Sequence, residues 1–177
     1  MKRVKANHEF PPFVHPDSRV LILGSFPSIK SREAQFFYGH PQNRYWRVLA
    51  SIYHEAEPKT LEEKAALLTA HHIACYDVIE SCSIEGSSDA SIRNVKPADL
   101  TPIIHDSAIQ MIILNGKTAA KYFERYQQKW AGGDLKIAVA PSTSPANAAV
   151  SFDQLVAAWS KLLPKDELST SIAPLQP

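Results

Sequence analysis

Four short apolar runs, each followed by a turn and a helical pattern, restrict this chain to a narrow set of folds. Residues 20–23 read Val-Leu-Ile-Leu and stop at Gly24. Residues 109–114 are largely apolar and stop at Asn115-Gly116, and residues 136–140 stop at Pro141. Residues 73–79 form the remaining run, with Ala74, Tyr76 and Val78 on one side. Between them, residues 43–54 place Trp46, Leu49, Ala50 and Tyr53 on one helical face. Thr60-x-x-Glu63 is a capping-box pattern that opens a helix to about residue 71, and Ser151-x-x-Gln154 opens another carrying Leu155, Val156 and Trp159. Residues 117–130 are helical, and Pro97 is placed to begin a short helix. Strand followed by helix, about four times over, predicts an α/β fold: a single domain with a four-stranded, mainly parallel central sheet flanked by helices. Residues 1–18 read as irregular, held extended by Pro11, Pro12 and Pro16. The domain is expected to span 1–163, with residues 164–177 as a flexible C-terminal tail.

At 177 residues the chain is long enough to bury a substantial core. Its 45% hydrophobic and 21% charged content excludes a disordered or membrane-spanning protein. A net charge of +1 neither requires nor excludes nucleic acid, because a transient DNA enzyme needs only a local basic rim. Cys75 and Cys82 match neither a disulfide framework, a redox pair nor a zinc site, and are expected to be reduced in a cytoplasmic protein. No signal segment and no membrane contact are expected. His71, His72 and Cys75 lie close in sequence but lack metal-ligand spacing, so no metal is expected.

In such sheets ligands bind beyond the carboxyl ends of the strands, which directs attention to the loops 24–43, 80–94, 115–118 and 141–147. The first combines a Gly-x-x-Pro turn, Gly24-Ser25-Phe26-Pro27, with Phe36-Phe37-Tyr38-Gly39-His40-Pro41-Gln42-Asn43. Three successive aromatics on a Gly/Pro-bounded loop cannot all point inward, so at least one is expected to line a cleft suited to a flat ring. His40 is equally consistent with a substrate contact and a structural hydrogen bond. Asn43 is a helix N-cap by residue type; its carboxamide also suits positioning a water, though it takes a proton poorly. Asp89 and Glu85 are the possible general bases of the second loop, against solvation at the surface as the commoner fate. Ser142-Thr143-Ser144-Pro145-Ala146-Asn147 suits a phosphate grip through hydroxyls and backbone N–H groups, or a rigid connector.

Together these motifs resemble the uracil-DNA glycosylase superfamily, and within it the hypoxanthine-DNA (deoxyinosine) glycosylase branch. The resemblance rests on Gly24-Ser25-Phe26-Pro27-Ser28, on Tyr38-Gly39-His40-Pro41-Gln42-Asn43-Arg44-Tyr45-Trp46, and on Tyr76-Asp77-Val78-Ile79 followed by Cys82, Gly86 and Ser87. Asn115-Gly116-Lys117 and Ser144-Pro145-Ala146-Asn147 complete the ordered set. Phe26 stands where other branches carry a water-positioning Asn or an Asp, so their uracil mechanism does not transfer intact. The resemblance implies a monofunctional DNA glycosylase acting on deaminated bases, most directly hypoxanthine, with damaged DNA as partner and neither cofactor nor obligate protein partner. It implies Asn43 as the catalytic residue. The base-binding set it implies is Gly24, Ser25, Phe26, Pro27, Phe37, Tyr38 and His40, with Tyr38 and Phe26 or Phe37 stacking on the base. Ser142, Thr143 and Ser144 would hold the DNA backbone while Pro145-Ala146-Asn147 fills the vacated stack. A uracil glycosylase, a non-catalytic nucleic-acid-binding module of the same fold and a nucleoside hydrolase are the alternatives.

Overall fold

The computed structural model describes residues 1–165; the expected tail lies outside them from residue 166 onward. A central sheet holds β2 (Val20–Gly24), β3 (Ile73–Asp77), β6 (Met111–Asn115) and β7 (Lys136–Ala140) in the order β3-β2-β6-β7. All three pairings are parallel, as the strand–helix alternation predicts. β2, β3 and β6 are almost wholly apolar because both faces are covered, whereas the edge strand β7 leaves Lys136 and Val139 exposed. Leu21, Leu23, Ala74, Ile112 and Leu114 face one core, while Val20, Ile22, Ile73, Cys75 and Ile113 face the other.

On the second face lie α2 (Tyr45–Ile52), α3 (Leu61–Ala70) and α6 (Phe152–Leu162), contributing Tyr45, Trp46, Leu49, Leu67, Leu68, Leu155 and Trp159. The capping box expected at Ser151 and Gln154 forms in full. At Thr60 only half of it forms: Thr60 Oγ1 accepts from the Glu63 amide, but the Glu63 carboxylate reaches the Lys59 amide instead. On the first face α5 (Lys117–Tyr126) buries Ala119, Tyr122 and Phe123. It ends earlier than expected, giving way to a 3-10 turn at Gln128–Trp130.

Two expectations are corrected here. The first 18 residues are not wholly irregular, and segment 80–94 is not one long loop. The strands β1 (Arg3–Asn7), β4 (Ile79–Glu85) and β5 (Arg93–Pro97) form an antiparallel sheet in the order β1-β4-β5. Only one face of it meets the core, through Ala6, Cys82, Ile84 and Ile92, so its strands are rich in Ser, Glu, Lys and Arg. The expected strand 73–79 accordingly breaks at Val78, where the chain passes from the parallel to the antiparallel sheet. Pro97 ends β5 rather than starting a helix; the short α4 (Thr101–His105) carries Pro102 in its first turn instead. The first loop also contains α1 (Ile29–Ala34), whose Ser28 cap accepts from the Ser31 amide at 3.1 Å.

Candidate functional site

Strand register builds the site. Gly24 pairs with Asp77, Asn115 pairs with Ala140, and Leu23 pairs with Leu114. Gly24, Asp77, Asn115 and Ala140 therefore form one row along the carboxyl edge of the parallel sheet, where the fold class places ligands. Gly24 is required by crowding: a Cβ there would clash with Asp77 Oδ1 and lie 3.2 Å from the Tyr38 hydroxyl. Tyr38 takes up a left-handed backbone, φ 52°. Its ring stacks on Tyr45 with centroids 4.0 Å apart, and Trp46 Nε1 donates to the Tyr38 carbonyl at 3.2 Å. That strained turn brings the hydroxyl to Gly24 while Phe37, one residue earlier, is buried against Phe10.

Asp77 is buried, and its Oδ2 lies 2.7 Å from His8 Nε2. The His8 side chain is fully enclosed, against Phe10 and Tyr76. Its Nδ1 donates to the Phe10 carbonyl at 2.9 Å. Burial pushes the Tyr38 phenol well above its ordinary value, and the charge of Asp77 adds to the effect. The Asn115 side chain, which also exchanges bonds with Thr143 in both directions at 3.0 Å each, opposes that shift from beside the phenol. The Tyr38 hydroxyl is left buried without a hydrogen-bond partner.

Asn43 is not the N-cap expected: that position falls to Arg44, and Asn43 Oδ1 accepts from the Tyr45 amide at 2.9 Å in a local turn before the helix, which leaves its carboxamide N–H groups uncommitted to that bond. The next residue, Arg44, donates its amide to the Thr143 carbonyl and its guanidinium to the carbonyls of Asn147 and Val150. This staples the fourth loop to the start of α2. Within that loop Ser142 Oγ accepts from the Ser144 amide, Ser144 Oγ from the Ala146 amide, and Asn147 Nδ2 donates to the Ser142 carbonyl. Trp159 Nε1 holds the Pro141 carbonyl from below at 3.0 Å. Gly116, φ 98°, brings the strand ends together, since a Cβ there would meet Ser142 Cβ at 2.8 Å.

Two predicted site residues are corrected by their burial. Phe37 is 2% exposed and packs edge-on against Phe10, so it offers no face for stacking. Thr143 is completely buried in its bonds to Asn115, so its hydroxyl is not available to a DNA backbone. Phe26 shows only an edge, with the Arg32 guanidinium 5.5 Å above its ring. His40 Nδ1 accepts from the Gln42 amide at 3.1 Å, so the structural role is realised and Nε2 is left for another partner. Pro145, Ala146 and Asn147 form a turn closed by the Asn147 amide on the Ser144 carbonyl, with Ala146 exposed.

The two acidic candidates of the second loop separate. Glu85 faces Arg3 at 3.6 Å on the antiparallel sheet, both side chains largely solvated. Asp89 accepts from Ser25 Oγ at 3.0 Å, one residue from Gly24. Partial desolvation holds its carboxyl above the usual range; bonds from Ser25 and Thr118 pull it down, and the charge of Asp77 raises it further. Asp77, His8 and Asn115 were not among the expected site residues. Asp77 had a readable signal, an acid at the carboxyl end of a buried apolar strand. His8 had none, since β1 was not legible. His71, His72 and Cys75 do not converge: His71 meets Glu55, His72 meets Asp17, and Cys75 meets the Tyr45 hydroxyl. Among the described residues no group of three His, Cys, Asp or Glu side chains is placed to hold a metal, and no helix is long and apolar enough to cross a membrane.

Comparison with known proteins bears on this arrangement. The chain is 31% identical over 140 residues to the hypoxanthine DNA glycosylase of Methanosarcina acetivorans, covering 78% of this chain and 86% of that one. It is 31% identical over 116 residues to the hypoxanthine DNA glycosylase of Methanosarcina barkeri, covering 64% and 73% respectively. The solution NMR structure of a Methanosarcina acetivorans protein provisionally assigned as a uracil DNA glycosylase superimposes with a TM-score of 0.74 at 29% identity, covering 87% of this chain and 94% of that one. The sequence profile of the uracil DNA glycosylase superfamily matches residues 11–163, which include the whole parallel sheet and all four of its loops; the chain belongs to that superfamily.

Proposed function

We propose that this protein is a monofunctional DNA glycosylase that hydrolyses the N-glycosidic bond of deaminated bases in DNA, hypoxanthine first among them, and so opens base-excision repair. The observation that carries the reading is the row Gly24–Asp77–Asn115 with the Tyr38 hydroxyl close to it: recessed polar groups gathered at the strand edge where this fold class binds ligands. A base reaches such recessed groups only after it leaves the helix. The names of the Methanosarcina relatives support hypoxanthine as the base.

Glycosidic cleavage passes through an oxocarbenium-like sugar, with the bonding pair leaving on the base and water attacking the opposite face. Asn43 has its oxygen engaged, so its N–H groups act, holding the water or the departing base. Asp89, with raised proton affinity beside Ser25, takes the water proton as the new C–O bond forms. Phe26 lies against the base. Ser142 and Ser144 meet the backbone of the DNA, and the stapled turn 145–147 presents Ala146 as the wedge that replaces the extruded nucleotide. No step forms a Schiff base, so no strand cleavage follows. Two buried free thiols, Cys75 and Cys82, accord with a reducing cytoplasmic setting.

The test uses labelled duplexes carrying one hypoxanthine, uracil or xanthine, treated with protein and then hot alkali to reveal abasic sites. Cleavage at hypoxanthine that falls at least 100-fold in Asn43→Ala supports the reading. Cleavage chiefly at uracil assigns the protein to uracil repair. Binding without product on any duplex replaces the enzyme with a binding module.

A further inference from the structure

We propose that Asp77 Oδ1 and the Tyr38 hydroxyl form an acceptor–donor pair that reads the lactam edge shared by all deaminated bases, and that His8 is the positioning residue that keeps Asp77 Oδ1 an acceptor. The proposal rests on the glycosylase reading and names the substrate class of the same pocket: bases with a ring N–H beside a carbonyl.

The argument starts at the Phe10 carbonyl, which can only accept. His8 Nδ1, 2.9 Å from it, therefore carries a proton. Its Nε2 faces Asp77 Oδ2 at 2.7 Å, and one proton lies between these two atoms. Whether that proton resides on nitrogen or on Oδ2, the other carboxyl oxygen, Oδ1, carries none. Oδ1 is thus an acceptor in either state, and it is the oxygen that abuts Gly24. Without His8 nothing on that side fixes which carboxyl oxygen faces Gly24. His8 removes that freedom, because its own ring is locked by Phe10 and Tyr76.

The second half of the pair is the Tyr38 hydroxyl, buried, without a hydrogen-bond partner of good geometry, and near the same position over Gly24 that Asp77 Oδ1 crowds. An orphaned buried hydroxyl is costly unless a ligand satisfies it. Hypoxanthine presents N1–H and O6, uracil presents N3–H and O4, and both edges match an acceptor beside a donor. Adenine and cytosine present the reverse, a ring lone pair beside an amino group, which sets a lone pair against Oδ1. Sites built on such buried pairing reject the mismatched analogue by about 10⁴–10⁵-fold. Deamination converts one pattern into the other, so the pair separates a deaminated base from its own amino parent; guanine and thymine carry the same edge and are excluded by other contacts.

The test measures single-turnover excision on duplexes with hypoxanthine, N1-methylhypoxanthine or adenine, using the full chain and variants whose folding is checked by thermal unfolding. Tyr38→Phe should lose about 10-fold or more on hypoxanthine, and Asp77→Leu about 100-fold. Asp77→Asn, which can donate to His8 and still present its oxygen, should stay within about 10-fold of wild type. His8→Leu should erase most of the preference for hypoxanthine over its N1-methyl derivative, and His8→Gln, a donor at the same place, should restore it. Folded Tyr38→Phe and Asp77→Leu proteins that excise hypoxanthine as well as wild type would overturn the proposal and leave the glycosylase reading intact. If wild type excises nothing, the glycosylase reading fails and affinities for the same duplexes decide: a hypoxanthine preference lost in Tyr38→Phe supports the pair, and equal affinities overturn it.

Discussion

Neighbouring residues in this chain have opposite fates, and the reason is backbone conformation. Phe37 enters the core, while Tyr38, at φ 52°, turns its hydroxyl to the strand edge. Hydrophobic content announces an aromatic cluster but is silent about which ring the turn sends outward, so Phe37 and Tyr38 were indistinguishable in sequence. Gly24 was legible as a turn former, but its real constraint is contact with Asp77, which only strand register reveals. Gly24→Ala is expected to destabilise the protein by about 1–3 kcal/mol through overpacking and to abolish excision, read by urea unfolding and single-turnover kinetics. Asp89→Asn separates charge from shape. The Asp89 carboxyl is raised in the fold, so both states are protonated and unaffected at low pH; as pH rises through the folded value, ionisation costs the wild type stability that the variant keeps. The unfolding midpoint of Asp89→Asn relative to wild type should therefore climb from pH 4 to pH 7, in unfolding curves taken across that range, while its excision rate falls.

The elements best read in sequence are those whose surroundings are uniform. The strands β2, β3 and β6 are buried on both faces and show as apolar runs, and the edge strand β7, partly exposed at Lys136 and Val139, keeps the same apolar pattern. β1, β4 and β5 bury one face only; their Ser, Glu and Lys residues look like loop until the pairing is seen. α1 is too short for periodicity to register, and only its Ser28 cap marks it. The fourth loop was recognised as rigid by its prolines, yet its rigidity also comes from Asn115, Arg44 and Trp159 on three other elements. Asn115→Ala leaves the buried Thr143 amide and hydroxyl without partners and should cost about 1–3 kcal/mol in denaturant unfolding. It should also loosen residues 141–150, seen as faster amide hydrogen exchange there.

Across the whole molecule the net charge is +1, and the Arg44 guanidinium beside the fourth loop is already bonded to carbonyls rather than open to phosphates. Affinity for duplex DNA should therefore respond weakly to salt, with a slope of log K against log salt of about −1 to −3 in fluorescence titrations. The enzyme would gain its hold from the extruded nucleotide more than from the duplex. The two sheets meet at this site: β1 brings His8 to an acid on β3 across 69 residues of sequence. That separation has a kinetic meaning. Contacts so distant along the chain wait for long loops to close, and the β2–β6 pairing of the parallel sheet spans still more of the sequence. The helices, whose contacts are local, can form while both sheets are still incomplete, and Asp77 is then without its histidine. During refolding from denaturant, helix signal should return first, and the ability to tell a deaminated base from its amino parent should return only once both sheets have closed.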